Sequence, residues 1–155
     1  MRSRTLRWRS LEWNGLEHLE VSLGASAVLA RGVAIGERND QFYGMHYRVE
    51  LAPDWTFRSI GLERTDGATL RLRSKGWGAW ECNGQDAPNL EGCVDIDLSG
   101  SPFTNTLPIR RHPFAENTPV RFRMVWIPLD TLEPFVAEQV YAKLGPTRFR
   151  YQSTD

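Results

Sequence analysis

Asp95 and Asp97 lie two residues apart in the run from Gly92 to Arg111, GCVDIDLSGSPFTNTLPIRR, which holds most of the side chains able to do chemistry. Residues two apart on a strand share a face, so both carboxylates project the same way at about 7 Å spacing, with Val94, Ile96 and Leu98 opposite. One face is acidic and the other greasy. Such carboxylates can accept hydrogen bonds from the vicinal hydroxyls of a sugar, or pair with arginines and cap the turn at Ser99 and Gly100. Arg110 and Arg111 follow Pro108 and Ile109; read as a strand, they point to opposite sides and at most one meets the acidic face. A guanidinium fork there suits a carboxylate or an anionic head group. Thr104, Asn105 and Thr106 either satisfy their own backbone or, for Asn105, offer a sugar both donors and an acceptor.

Six tryptophans in 155 residues is a heavy aromatic load. Aromatic rings serve as core volume or as platforms for the apolar faces of sugars and acyl chains. Trp8, Trp55 and Trp126 fall in alternating segments and are expected to pack inside. Trp77 and Trp80, in KGWGAWECNG, are flanked by glycines that let another molecule approach, which makes them the aromatic ligand candidates.

Paired carboxylates also raise an enzymatic reading, since glycoside cleavage uses two such groups roughly 5 to 9.5 Å apart. Side chains two apart on one strand run nearly parallel, whereas that mechanism needs approach from different sides, so a partner such as Glu50, Glu63 or Glu81 would be required. His18, His46 and His112 show no metal-ligand spacing, and Cys82 and Cys93 belong to no short metal motif. No nucleophile-elbow serine and no glycine-rich phosphate loop is present. No cofactor or metal is therefore expected.

These residues must be positioned by a chain of 155 residues with nineteen basic and nineteen acidic side chains. That length suits one domain, and the zero formal charge argues against bulk attraction to nucleic acid. The cationic start, MRSRTLRWRSLEW, has no apolar segment of an export signal, and no stretch approaches the roughly 20 apolar residues of a membrane span. A cytoplasmic protein without stable membrane insertion is the expectation, with both cysteines as thiols. Alternation dominates the chain: Tyr43, Met45, Tyr47, Val49 and Leu51 share one face, Val120, Phe122, Met124 and Trp126 another, and Leu70 and Leu72 oppose Arg71 and Arg73. Asn14-Gly15, Asp66-Gly67 and Asn83-Gly84 mark hairpins. Ser101 before Pro102 starts a short helix that Pro108 limits, and residues 131–144 read as a strand leading into a hairpin with residues 147–152. The fold class is all-β with one short α-helix, an antiparallel curved sheet or half-open barrel wrapped around that helix.

The Gly92–Arg111 run resembles the signature of the Putative glycolipid-binding family, a bacterial family formerly classed as a domain of unknown function, with weaker echoes at Trp13–Leu19, Tyr47–Arg58 and Glu138–Tyr151. The resemblance implies a sheet around a short helix, an acidic pocket, and Tyr47 and Arg58 as further lining. It implies no established reaction. The resemblance implies members that continue past the arginine-tyrosine strand, so a single domain over residues 1–155 is either short of C-terminal strands, with an open edge near Phe149 and Tyr151, or a naturally short member whose homodimer partner supplies that edge. The reading is non-enzymatic binding of a glycolipid or related amphiphile by Asp95, Asp97, Asn105, Arg110, Arg111, Trp77, Trp80, Tyr47 and Arg58. Its rivals are an enzyme of sugar or glycolipid metabolism and a structural or dimerising module without a ligand.

Overall fold

The structure, a computed structural model, describes residues 2–38 and 40–153. An eight-stranded sheet takes its strands in sequence order: β1 Arg2–Arg9, β2 Gly15–Leu23, β3 Val28–Arg38, β4 Gln41–Leu51, β5 Phe57–Arg64, β6 Thr69–Gly76, β7 Ala79–Cys82 and β8 Gln85–Asp86. Every pairing in it is antiparallel. Tight turns account for this meander. Asn83 and Gly84, both with positive φ, close a two-residue hairpin between β7 and β8, the backbone that Asn-Gly favours. Asp66-Gly67 closes β5 to β6 in a wider turn, whereas the β1 to β2 connection spans residues 10–14.

A second sheet has the order β12 (Arg148–Ser153), β11 (Phe135–Gly145), β10 (Val120–Ile127), β9 (Asp95–Leu98). It curls into a half-barrel. Residues 131–144 yield the strand read from sequence, from Phe135 onward, and it hairpins with β12. One pairing departs from the antiparallel expectation: β9 runs parallel to β10. A parallel pair needs a long crossover instead of a tight turn, and residues 99–119 supply it.

That crossover carries the helix. Ser101 caps a 3-10 turn, Pro102–Asn105, by accepting from the Phe103 amide at 3.3 Å, and α1, Thr106–Arg111, follows directly. Pro108 does not end the helix as the sequence reading supposed. It sits in the first turn of α1, where its fixed φ suits the helix, so Arg110 and Arg111 are helical instead of strand residues.

The two layers share one core. Ile96 and Leu98 of β9 and Val125 and Ile127 of β10 pack against Leu19, Val49, Leu51, Ile60, Leu70 and Leu72 of the large sheet. The opposite face of the half-barrel carries Asp95 and Asp97, beside Met124 and Trp126, with Phe122 paired to Gln139 and Tyr141 to Tyr151. The greasy and acidic faces of β9 are thus real, and the acidic one turns into the concavity that the crossover fills.

Candidate functional site

Both aspartates are buried, at 1% and 5% exposure, and different elements hold them. Arg111 of α1 donates from Nε (3.1 Å) and Nη2 (2.5 Å) to the same Asp95 oxygen, Oδ2. Oδ1 of Asp95 stays buried without a partner, and desolvation raises the carboxyl's pKa against the lowering pull of Arg111. Asp97 is engaged at both oxygens: Thr104 Oγ1 donates to Oδ1 at 3.1 Å and Gln139 Nε2 to Oδ2 at 2.5 Å. Thr104 Oγ1 also accepts from the Leu98 amide, at 3.1 Å. Tyr141 Oη lies 3.1 Å from Gln139 Oε1 and 2.9 Å from Asn105 Oδ1, which extends the network to the end of the 3-10 turn.

Beside this network a cavity of about 560 Å³ opens between the β1–β2 hairpin, the 3-10 turn and the half-barrel. Trp8, Trp13, Tyr43, Trp126 and Tyr151 supply rings to its wall, and Glu17, Asp97 and Asn105 supply polar groups. Wider hollows continue from it past Tyr43: one reaches Phe135, another Ile35 and Phe42.

Two glycines of β3 make room for one tyrosine of β4 in the wall of this cavity, Tyr43, and for another behind it, Tyr47. Gly32 pairs with Tyr47 and Gly36 with Tyr43. A Cβ on Gly32 would lie 2.3 Å from the Tyr47 ring, and one on Gly36 would lie 2.6 Å from Tyr43 Oη. Each ring occupies the space of the missing side chain and crosses β3 toward β2, the cross-strand shielding of a strand glycine by an aromatic. Tyr47 Oη thereby reaches Glu17 Oε1, donating at 2.5 Å, with Ser101 Oγ 3.1 Å behind it. Glu17 is 5% exposed, its Oε2 has no partner, and desolvation raises its pKa. Desolvation and the neighbouring Glu17 charge push the Tyr47 pKa up as well.

Of the nine residues named from sequence, Asp97 and Asn105 line this cavity, and Tyr47 stands behind it through Glu17. Asp95 and Arg111 form the adjacent ion pair, and Arg110 lies over the Trp55 ring with its guanidinium 4.1 Å from the centroid. Trp55 is in the β4–β5 turn, at positive φ, instead of in a strand. Trp80 is core: it packs on Phe57 at 5.3 Å and donates Nε1 to the Cys93 carbonyl at 3.1 Å. Trp77 stands fully exposed at the tip of the β6–β7 hairpin. Arg58 donates to the Ser26 carbonyl at 3.1 Å and approaches Glu50 at 3.6 Å, away from the cavity.

Glu17, Trp8, Trp13, Tyr43 and Tyr151 were not named as ligand contacts. Their local signal was weak, although the four-residue spacing shared by Gly32/Gly36 and Tyr43/Tyr47 could have suggested the tyrosine crossing. Among the described residues no three His, Cys, Asp or Glu side chains cluster to hold a metal ion, and no helix is long and apolar enough to cross a membrane. Cys82 and Cys93 are both free thiols.

Comparison with known proteins places this architecture. A crystal structure of a DUF1089 family protein from Pseudomonas aeruginosa superposes with a TM-score of 0.75 at 32% identity, covering 96% of this chain and 81% of that one. No curated protein sequence matches. The family model described as Putative glycolipid-binding matches residues 5–155. The chain belongs to that family.

Proposed function

We propose that the protein binds a glycolipid or a related amphiphile without altering it, in the cavity between the β1–β2 hairpin and the half-barrel. The observation that carries this reading is the convergence of five aromatic side chains and two buried carboxyls, drawn from both sheets, on one hollow of about 560 Å³. That volume lies in the range of small-molecule sites. Aromatic faces stack on the apolar faces of sugar rings, and polar groups fix orientation. Leu11 and Leu16 line both the cavity and the adjoining hollow, where exposed Ile35 and Phe42 extend the apolar surface offered to an acyl chain. In this reading Asp97 and Asn105 face the ligand, while Asp95 and Arg111 hold β9 against α1. The two free thiols suit a cytoplasmic binder, and the open edges of β1 and β12 give a homodimer a place to form.

Native mass spectrometry of protein purified from a bacterial host, followed by lipid extraction, tests the reading. A co-purifying amphiphile with a sugar head group is expected. Absence of any bound amphiphile, together with unchanged tryptophan emission on adding glycolipid extracts, overturns it.

One observation favours a second reading, cleavage of a glycosidic bond. Glu17 on β2, with its raised pKa, and Asp97 on β9 reach the same cavity from different strands, as an acid and a base or nucleophile would. Against it, Thr104 and Gln139 occupy both Asp97 oxygens. Release of free sugar from aryl glycosides, abolished in Asp97→Ala, would favour cleavage over binding.

A further inference from the structure

Gly61 stands in the middle of β5, between core residues Ile60 and Leu62, so it belongs to the face of the large sheet turned away from the half-barrel. A Cβ built on it meets nothing within 4 Å. Glycine weakens a strand interior, and its presence there goes with a bulge, with a ring that needs the space, or with the close approach of another molecule. The first two do not apply. Arg48 and Arg71 pair with Gly61 in continuous register, and no ring covers it as Tyr47 and Tyr43 cover Gly32 and Gly36.

The same register builds a row of cations around that gap. Arg31 of β3 lies opposite Arg48 of β4, Arg48 opposite Gly61, and Gly61 opposite Arg71 of β6. All three arginines are exposed, and all three line one hollow of about 690 Å³ together with Gly61. Like charges set opposite one another destabilise a sheet, and neighbouring acids do not neutralise this row. Glu20 and Glu63, which also line the hollow, stand beside His18 and His46 at 3.9 and 3.4 Å. Arg48 approaches Glu50 at 3.6 Å and shares it with Arg58. Arg31 and Arg71 form no ion pair with any described residue.

We propose that this hollow is a second binding site, for a small soluble phosphate ester whose phosphoryl group Arg48 and Arg71 clamp over Gly61, with Arg31 beside them for a further anionic oxygen. Neighbouring strands lie about 4.8 Å apart, so the two arginines flanking Gly61 start roughly 9.6 Å from each other, a span that one phosphoryl group and two guanidinium forks fill. The missing Cβ lets the anion settle onto the backbone between them. A recessed site bordered by Glu20 and Glu63 suits a free ester better than a bilayer, which presents its phosphates in a plane. The hollow shares no lining residue with the aromatic cavity, so the proposal stands whether or not that cavity takes a glycolipid.

Isothermal titration of the whole protein with sn-glycerol 3-phosphate, at about 0.15 M ionic strength and with glycerol as the uncharged control, tests this. Saturable binding of the ester and none of glycerol is expected. Arg71→Gln should weaken that binding about tenfold, and Gly61→Val, which fills the gap, should weaken it at least as much, whereas Arg73→Gln, outside the hollow on the same face, should leave it unchanged. Because valine could disturb the sheet, amide chemical-shift mapping on the wild type locates the site separately: shifts centred on Arg48, Gly61 and Arg71 support the proposal, and shifts centred elsewhere overturn it. Absence of saturable binding overturns it too, as does equal weakening in Arg71→Gln and Arg73→Gln, the mark of diffuse charge attraction. So does sedimentation with phosphatidylcholine vesicles only when they contain phosphatidic acid, if the soluble ester does not bind.

Discussion

Asp97 illustrates how far a single side chain can be read in isolation. Its place on an acidic face follows from alternation along β9, but its burial and its partners do not, because all four residues of β9 are buried, Gln139 lies 42 residues away and Thr104 lies beyond a turn. From sequence alone, Asp97→Asn looks like a change that removes charge and spares the fold. With Gln139 Nε2 donating to Oδ2, an asparagine must turn its amide nitrogen to Thr104 Oγ1, whose hydroxyl then donates to the Ser101 carbonyl instead, and both bonds at residue 97 lose the charge assistance of a carboxylate. Asp97→Asn is therefore expected to cost about 1 to 3 kcal/mol, measurable as a lower urea midpoint with an unchanged slope. Glu17 predicts the opposite sign. Its pKa is raised in the folded state, so the folded protein holds a proton that the unfolded chain releases. Its contribution to stability is greatest below the unfolded glutamate pKa and declines as pH rises toward the raised value. Glu17→Gln removes that decline. Thermal unfolding at pH 5 and pH 8 should show the variant gaining on wild type at the higher pH; an equal difference at both would contradict the account.

At the scale of elements, hairpins were the most legible, because Asn83-Gly84 and Asp66-Gly67 state their turn chemistry locally. Helix α1 was half legible. Ser101 and Pro102 signal its approach, while Pro108 reads as a stop unless one knows that a 3-10 turn precedes it and places the proline in a first turn. Reading Pro108 as a stop put Arg110 and Arg111 on a strand, whereas they lie on the helix, where Arg111 meets Asp95 and Arg110 meets Trp55. The pairing of β3 with β4 depends on register, which composition does not reveal. Gly32→Ala tests it directly: a Cβ lying 2.3 Å from the Tyr47 ring must displace a buried tyrosine, and overpacking of this kind costs about 1 to 3 kcal/mol. Chemical denaturation should register the loss. The same change at Gly61, where a Cβ would meet nothing within 4 Å, should cost far less.

At the scale of the molecule, the all-β class with one short helix was legible from periodicity, and the cavity was not. Trp8, Glu17, Tyr43, Trp126 and Tyr151 are distant in sequence and meet only because the half-barrel closes against the β1–β2 hairpin. Trp77, by contrast, was named for its glycine neighbours, which instead build a hairpin tip on the surface. The apolar tips near the cavity give a prediction of their own. Leu11 is 91% exposed and Phe42 83%, so replacing both by serine should leave stability within about 0.5 kcal/mol. Affinity for alkyl maltosides should then stop rising with chain length, whereas Trp77→Gly should leave that rise intact. Isothermal titration with octyl, decyl and dodecyl homologues reads both.

The same-direction run of β9 beside β10 constrains how such a chain can diverge. Antiparallel neighbours joined at a tip accept extra or fewer loop residues without disturbing either strand. The segment joining β9 to β10 has no such freedom, since it must travel the length of the sheet and its side chains fill the hollow on the way. Natural length variation should therefore collect at the tips of the large meander and spare the arch over the half-barrel, so that the plug is inherited whole or lost together with the strand it delivers.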